Sequence, residues 1–131
     1  MKSDDAMLRM QGICIRFPGV QALQDAELLV AAGEVHVLLG ENGAGKSTLM
    51  KVLCGQYEAD AGTISLSGTS IAPQSPVEAE GHGLVMIHQE LNLVPGLTVA
   101  ENIFLGHEPT SGGLIRDAIM NQSSRDLLHR L

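Results

Sequence analysis

At 131 residues the chain is long enough for one domain with a buried core, and an aromatic share of 2% means that core must be aliphatic. The net charge is −7, and between Arg16 and Arg116 the only cations are Lys46 and Lys51. No basic stripe can be built from them, which excludes DNA and RNA as partners and points instead to a compact anion.

In chain order, Met7 to Phe17 carries apolar residues at Leu8, Met10, Ile13, Ile15 and Phe17, a strand-like pattern closed by Pro18-Gly19. Val20 to Val30 reads as a second strand, antiparallel to the first and closed by Gly33. Val35 to Leu39 is a short apolar run bounded by turn signals, as expected of a buried strand. A glycine-rich loop follows, then a helix from Lys46 to Cys54 that Gly55 should cap. Thr63 to Leu66 predicts a short strand ending at Gly68, and Pro76 can open a helix. Leu84 to His88 is another candidate buried strand. Thr98 reads as an N-cap, with Glu101 completing a capping box and Val99, Ile103 and Phe104 as the apolar face. Gly106 to Gly113 reads as loop. Asp117 to Leu131 predicts a helix with Ile119, Met120, Leu127, Leu128 and Leu131 on one side; its uncapped end suggests a truncated domain.

Cys14 and Cys54 form no metal or redox spacing and read as small buried hydrophobes in a reducing cytosol. The N-terminus carries Asp4 and Asp5 without an apolar core, so no signal peptide is expected. No apolar run is long enough to span a bilayer. Asn121-Gln122-Ser123 is taken as a chance glycosylation match.

The chemistry lies in Gly40-Glu41-Asn42-Gly43-Ala44-Gly45-Lys46-Ser47, which fits the phosphate-loop pattern G-x-x-x-x-G-K-[ST]. Its glycines permit positive φ and keep side chains from between backbone and ligand. Successive N–H groups can then form an anion nest, reinforced by the helix N-terminus. Lys46 is placed to reach the β- and γ-phosphates, and the Ser47 hydroxyl to bind Mg²⁺; Thr48 packs or caps nearby. A dinucleotide fingerprint fails, because Thr48 stands where its last glycine belongs.

Two longer stretches extend this motif. GEVHVLLGENGAGKSTLMKVLCGQYEADAG, Gly33 to Gly62, resembles the first half of the nucleotide-binding domain of ABC transporters. LVMIHQELNLVPGLTVAENIFLG, Leu84 to Gly106, resembles that family's Q-loop region. The wording is most similar to ATPase subunits of bacterial ribose, xylose and galactoside importers. The resemblance implies an α/β P-loop NTPase fold of ABC ATPase type, a core parallel sheet with an antiparallel β-subdomain, present here in part over 1–131. It also implies that Phe17 stacks on adenine, and that Gln89 contacts Mg²⁺ and the attacking water. Glu90 to Val94 would face the permease. ATP and Mg²⁺ would be bound. The partners would be membrane permease subunits, a second nucleotide-binding domain and, indirectly, an external sugar-binding protein. The location would be peripheral, on the cytoplasmic face of the inner membrane.

The departures are specific. No four apolar residues followed by Asp and Glu occur after Lys46, so Walker B is missing; the run Leu84 to Ile87 ends in His88. None of the five histidines can be the switch histidine, which lies after Walker B in the family. Leu66-Ser67-Gly68-Thr69 and Ser111-Gly112-Gly113 mimic the signature LSGGQ, but each reads as a turn. ATP hydrolysis coupled to sugar import is therefore expected of a full-length protein, and binding without useful turnover of these residues alone. The alternatives are a non-catalytic ATP-binding piece and a P-loop small-molecule kinase. The kinase is disfavoured because no arginine lies between 16 and 116 to serve the transferring group. A GTPase lacks its Asn-Lys-x-Asp.

Overall fold

The computed structural model describes residues 6–88 and 93–130. They fall into two compact units, Met1–Ile87 and His88–Leu131. In the first, strand β1 (Ala6–Phe17) pairs antiparallel with β2 (Val20–Ala31) across Pro18-Gly19, as expected. A third strand, β3 (Ala61–Leu66), takes the other edge of β1, and β4 (Thr69–Ile71) pairs with β3, giving the order β2-β1-β3-β4. The β3–β4 turn places Ser67 and Gly68 both at positive φ, the conformation whose twist suits a two-residue hairpin. LSGT is thus a strand end with a turn.

The uneven spacing of apolar residues in β1 has a structural cause. Between Met10 and Ile13 the strand carries one more residue than β2 does, and Gly12 takes up this bulge at φ 62°. The bulge resets the alternation, so Met10, Ile13 and Ile15 all face inward. A compensating bulge at Asp25, φ 49°, lets both Leu23 and Leu28 meet them from β2. Gly62 lies close against the first bulge: a Cβ there would come within 2.7 Å of the Gly12 carbonyl oxygen. Helix α1 (Lys46–Leu53) covers this sheet with Leu49, Val52 and Leu53. Its end is a Schellman motif, in which Gln56 N–H donates to Lys51 O at 2.8 Å and Gly55 N–H to Val52 O at 3.1 Å. Gly55 sits at φ 66°, as its predicted capping role requires. Helix α2 (Pro76–Gly81) starts at Ser75, whose hydroxyl accepts from Glu78 N–H.

Two expectations need correction. Val35–Leu39 and Leu84–Ile87 form no strand among the described residues, and no helix either. Leu38 and Leu84 rest against the core, while Val35, Val37, Leu39, Val85 and Ile87 are exposed. A parallel strand needs non-local neighbours to satisfy its backbone, and no described residue supplies one.

In the second unit, α3 (Val99–Ile103) begins with the predicted capping box. Thr98 Oγ1 accepts from Glu101 N–H, and the Glu101 carboxylate accepts from Thr98 N–H at 2.6 Å. Its buried residue is Ala100, whereas Val99 and Ile103 are exposed, contrary to expectation. The stretch expected to be loop contains a small hairpin, β5 (Thr110–Ser111) with β6 (Leu114–Ile115), turned by Gly112-Gly113. Helix α4 (Asp117–Leu128) packs against α3 and buries Met120 and Ser124. Ile119, Leu127 and Leu128 stay exposed, so the predicted apolar stripe is only partly used; Leu131 lies outside the described residues.

Candidate functional site

The phosphate loop joins the Val35–Leu39 run to α1. Gly40, Gly43 and Gly45 all have positive φ, with Gly43 at 88° and Gly45 at 82°. Ala44 N–H donates to Glu41 O at 3.2 Å, which closes a turn. Lys46 reaches back over this turn, and its Nζ donates to the carbonyls of Gly40 and Glu41, both at 2.7 Å. The loop therefore wraps around its own cation. Gly45 is the N-cap of α1 and offers no side chain to its free N–H groups; the first turn carries no acidic residue. Among the described residues no carboxylate forms an ion pair with Lys46. Ser47 is exposed at the same end, and Thr48 is half-buried.

Gly45 also anchors the loop to the sheet. A Cβ at Gly45 would lie 2.8 Å from the Ala22 carbonyl oxygen and 2.7 Å from the Leu23 side chain. Val20, the register partner of Phe17, is two residues away from Ala22, about 7 Å along β2. The fold thus brings Phe17 and the phosphate loop to one end of the β1–β2 hairpin. Phe17 is half-buried against the core, and its ring meets Tyr57 edge-on, with centroids 5.2 Å apart and planes at 70°.

Gln89 lies outside the described residues, as do Glu90, Leu91 and Asn92. Leu93 and Val94 are exposed and, with Pro95, Leu97, Val99 and Ile103, line an apolar hollow of about 370 Å³ within the second unit. Asn102 organises it: its Oδ1 accepts from Val94 N–H at 2.8 Å, and its Nδ2 donates to the carbonyls of Val94, Leu97 and Thr98. Neither Asn102 nor Tyr57 was singled out by sequence reasoning. Asn in a helix is a poor helix former unless it bonds to backbone, and that was the available signal.

Among the described residues no three His, Cys, Asp or Glu gather as a metal site. His36 pairs with Glu34, Nδ1 to Oε1 at 3.1 Å, an ordinary surface contact. The Ala31 N–H bond, and then that of His36, hold the Glu34 carboxyl below the usual carboxylate range. Burial pushes the Cys54 thiol up, which keeps it protonated and inert; Cys14 is half-buried, and both are free. No helix among the described residues is long and apolar enough to cross a membrane.

The ribose import ATP-binding protein RbsA 1 of Rubrobacter xylanophilus is 51% identical over 125 residues, 95% of this chain and 25% of its own length. The ribose import ATP-binding protein RbsA of Geobacillus kaustophilus is 52% identical over 127 residues, covering 95% and 26%. The chain thus spans about a quarter of the length of these curated relatives. Among solved structures, a nucleotide-free ATP-binding cassette from an ABC transporter superposes with a TM-score of 0.71 at 29% identity, over 89% of this chain and 46% of that one. The ABC transporter family model matches residues 23–131, from β2 through the phosphate loop to the end of the chain. The chain belongs to the ABC transporter family, as part of its nucleotide-binding ATPase cassette.

Proposed function

We propose that this chain holds ATP·Mg²⁺ through Gly40 to Thr48 and Phe17, and that the whole protein couples ATP hydrolysis to sugar import. The observation that carries the reading is the loop closed around Lys46 at the bare N-terminus of α1. Triphosphate oxygens are stronger acceptors than the two carbonyls Lys46 now holds, so Nζ turns to them while the loop and helix N–H groups close on the phosphates. Gly43 has open space where a Cβ would stand, which leaves room for that approach. Phe17 supports the base, and Ser47 gives its hydroxyl to Mg²⁺, which neutralises phosphate charge when bound. Gln89 orients the attacking water. The sugar assignment draws on the relatives, whose names specify ribose import.

The apolar hollow at Leu93 to Ile103 is the surface proposed to face membrane permease subunits, and a second nucleotide-binding domain would complete the ATP site. Association is then peripheral, on the cytoplasmic face of the membrane. Calorimetry of the 131-residue chain with ATP·Mg²⁺ tests the core of this reading. Lys46→Ala should weaken binding at least about tenfold, the effect of losing hydrogen bonds to a charged group. Equal affinity in both proteins would overturn it.

A further inference from the structure

Phe17 does not stand alone. We infer that Tyr57 is a positioning residue for base recognition, one that holds the Phe17 ring in place and ties it to the helix that carries the phosphate loop. This inference rests on the reading of Phe17 as the surface on which the base stacks.

Three observations support it. The Phe17 and Tyr57 rings meet in the edge-to-face arrangement that aromatic quadrupoles favour, 5.2 Å apart at 70°. Lys51 Nζ sits 5.2 Å from the Tyr57 centroid, so a cation from α1 holds the second ring in turn. The backbone of Tyr57 is also fixed: its N–H donates to Lys51 O at 3.3 Å, directly beyond the Schellman motif. The residue that makes that motif cannot be replaced, because a Cβ on Gly55 would lie 2.8 Å from Ser75 N and O and 2.9 Å from Pro73 O.

The connection runs from the phosphate nest along α1 to Lys51, through its carbonyl to Tyr57, and across the ring contact to Phe17. The chain contains two Phe, one Tyr and no Trp, so this pair holds two of its three aromatic rings. An aliphatic residue at 57 could fill the same volume against the core. It could not present a polarised ring edge or face to Phe17, which would then rotate about its side-chain torsions. A loosened platform stacks less well, while the phosphate contacts stay intact.

That difference defines the test. Binding of ATP·Mg²⁺ and of inorganic tripolyphosphate with Mg²⁺ is measured for the wild-type chain, Tyr57→Leu, Tyr57→Phe and Phe17→Ala, with circular dichroism on each. The expected result is a loss of about two- to tenfold in ATP affinity for Tyr57→Leu. Tripolyphosphate affinity should stay unchanged, and Tyr57→Phe should behave as wild type. Equal losses for both ligands would reduce Tyr57 to a packing residue and overturn the inference, as would no loss for either. If Phe17→Ala leaves the ratio of ATP to tripolyphosphate affinity unchanged, the stacking role of Phe17 fails and this inference falls with it. The Lys46→Ala experiment would still stand.

Discussion

Within the first unit, two kinds of apolar segment meet different fates. The four-stranded sheet has Met10, Ile13 and Ile15 almost wholly withdrawn from solvent, whereas Val35, Val37 and Leu39, in a more continuous aliphatic run, are exposed. Hydrophobicity does not separate them; the location of the partner does. β1 finds β2 two residues away, β4 returns on β3 just as quickly, and β3, distant in sequence, takes the other edge of β1. A run of the parallel type must be met by strands distant in sequence, and here none of the described residues meets it. The strands of the antiparallel sheet therefore have their partners among the described residues, and the 35–39 run does not.

The contrast can be broken most directly by truncating one residue from each side. Ile13→Ala should cost about 2–5 kcal/mol in urea unfolding, because it opens a cavity in a packed core. Val37→Ala, at 67% exposure, should stay within about 0.5 kcal/mol. Similar losses at both sites would mean that the 35–39 run is packed in solution.

This contrast also explains what was legible beforehand. The β1–β2 pair, α1, the Gly55 cap and the capping box at Thr98 are each encoded within a few residues, and each was read correctly; the bulge between Met10 and Ile13 was not. Val35–Leu39 and Leu84–Ile87 were read as strands because local pattern reports only what a segment could pair with. The β5–β6 hairpin was missed because a four-residue pairing around Gly112-Gly113 looks like any glycine loop. The glycine conformations of the phosphate loop and the helix start at Lys46 were legible from spacing, but the strand expected before the loop was not formed. The contact of Tyr57 with Phe17 was invisible, because it joins residues forty positions apart without a periodic signal.

A second test concerns the exposed faces together. Val35→Lys combined with Ile87→Lys should reduce concentration-dependent self-association in sedimentation velocity, since charge on unpaired apolar chain blocks edge pairing. Identical sedimentation of the double variant and wild type would show that these faces are not sticky.

A modest effect is expected in the second unit, where α3 is only five residues long and its cap matters in proportion. Thr98→Ala should cost about 1 kcal/mol of helix stability. The Glu101 carboxyl is held below its ordinary value by the Thr98 side chain, then by the Thr98 backbone. A depressed carboxylate contributes its stability above the unfolded value near 4.3, and loses it as pH falls through the lower folded value. The α3 signal should accordingly weaken only in that acidic window, and Glu101→Gln should flatten the dependence. A pH response unchanged by Glu101→Gln would assign it to another group.

The seat of Lys46 on two neutral carbonyls has a kinetic consequence. An ion pair with a carboxylate would have to be pulled apart before a phosphate could enter, leaving an unpaired negative charge behind. Carbonyls at an exposed loop pass to water when the ammonium leaves, so the exchange requires little more than rotation of one flexible side chain. On the proposed reading of the loop, the lysine would act as a latch without a counter-charge, holding the loop's shape between ligands without slowing their arrival.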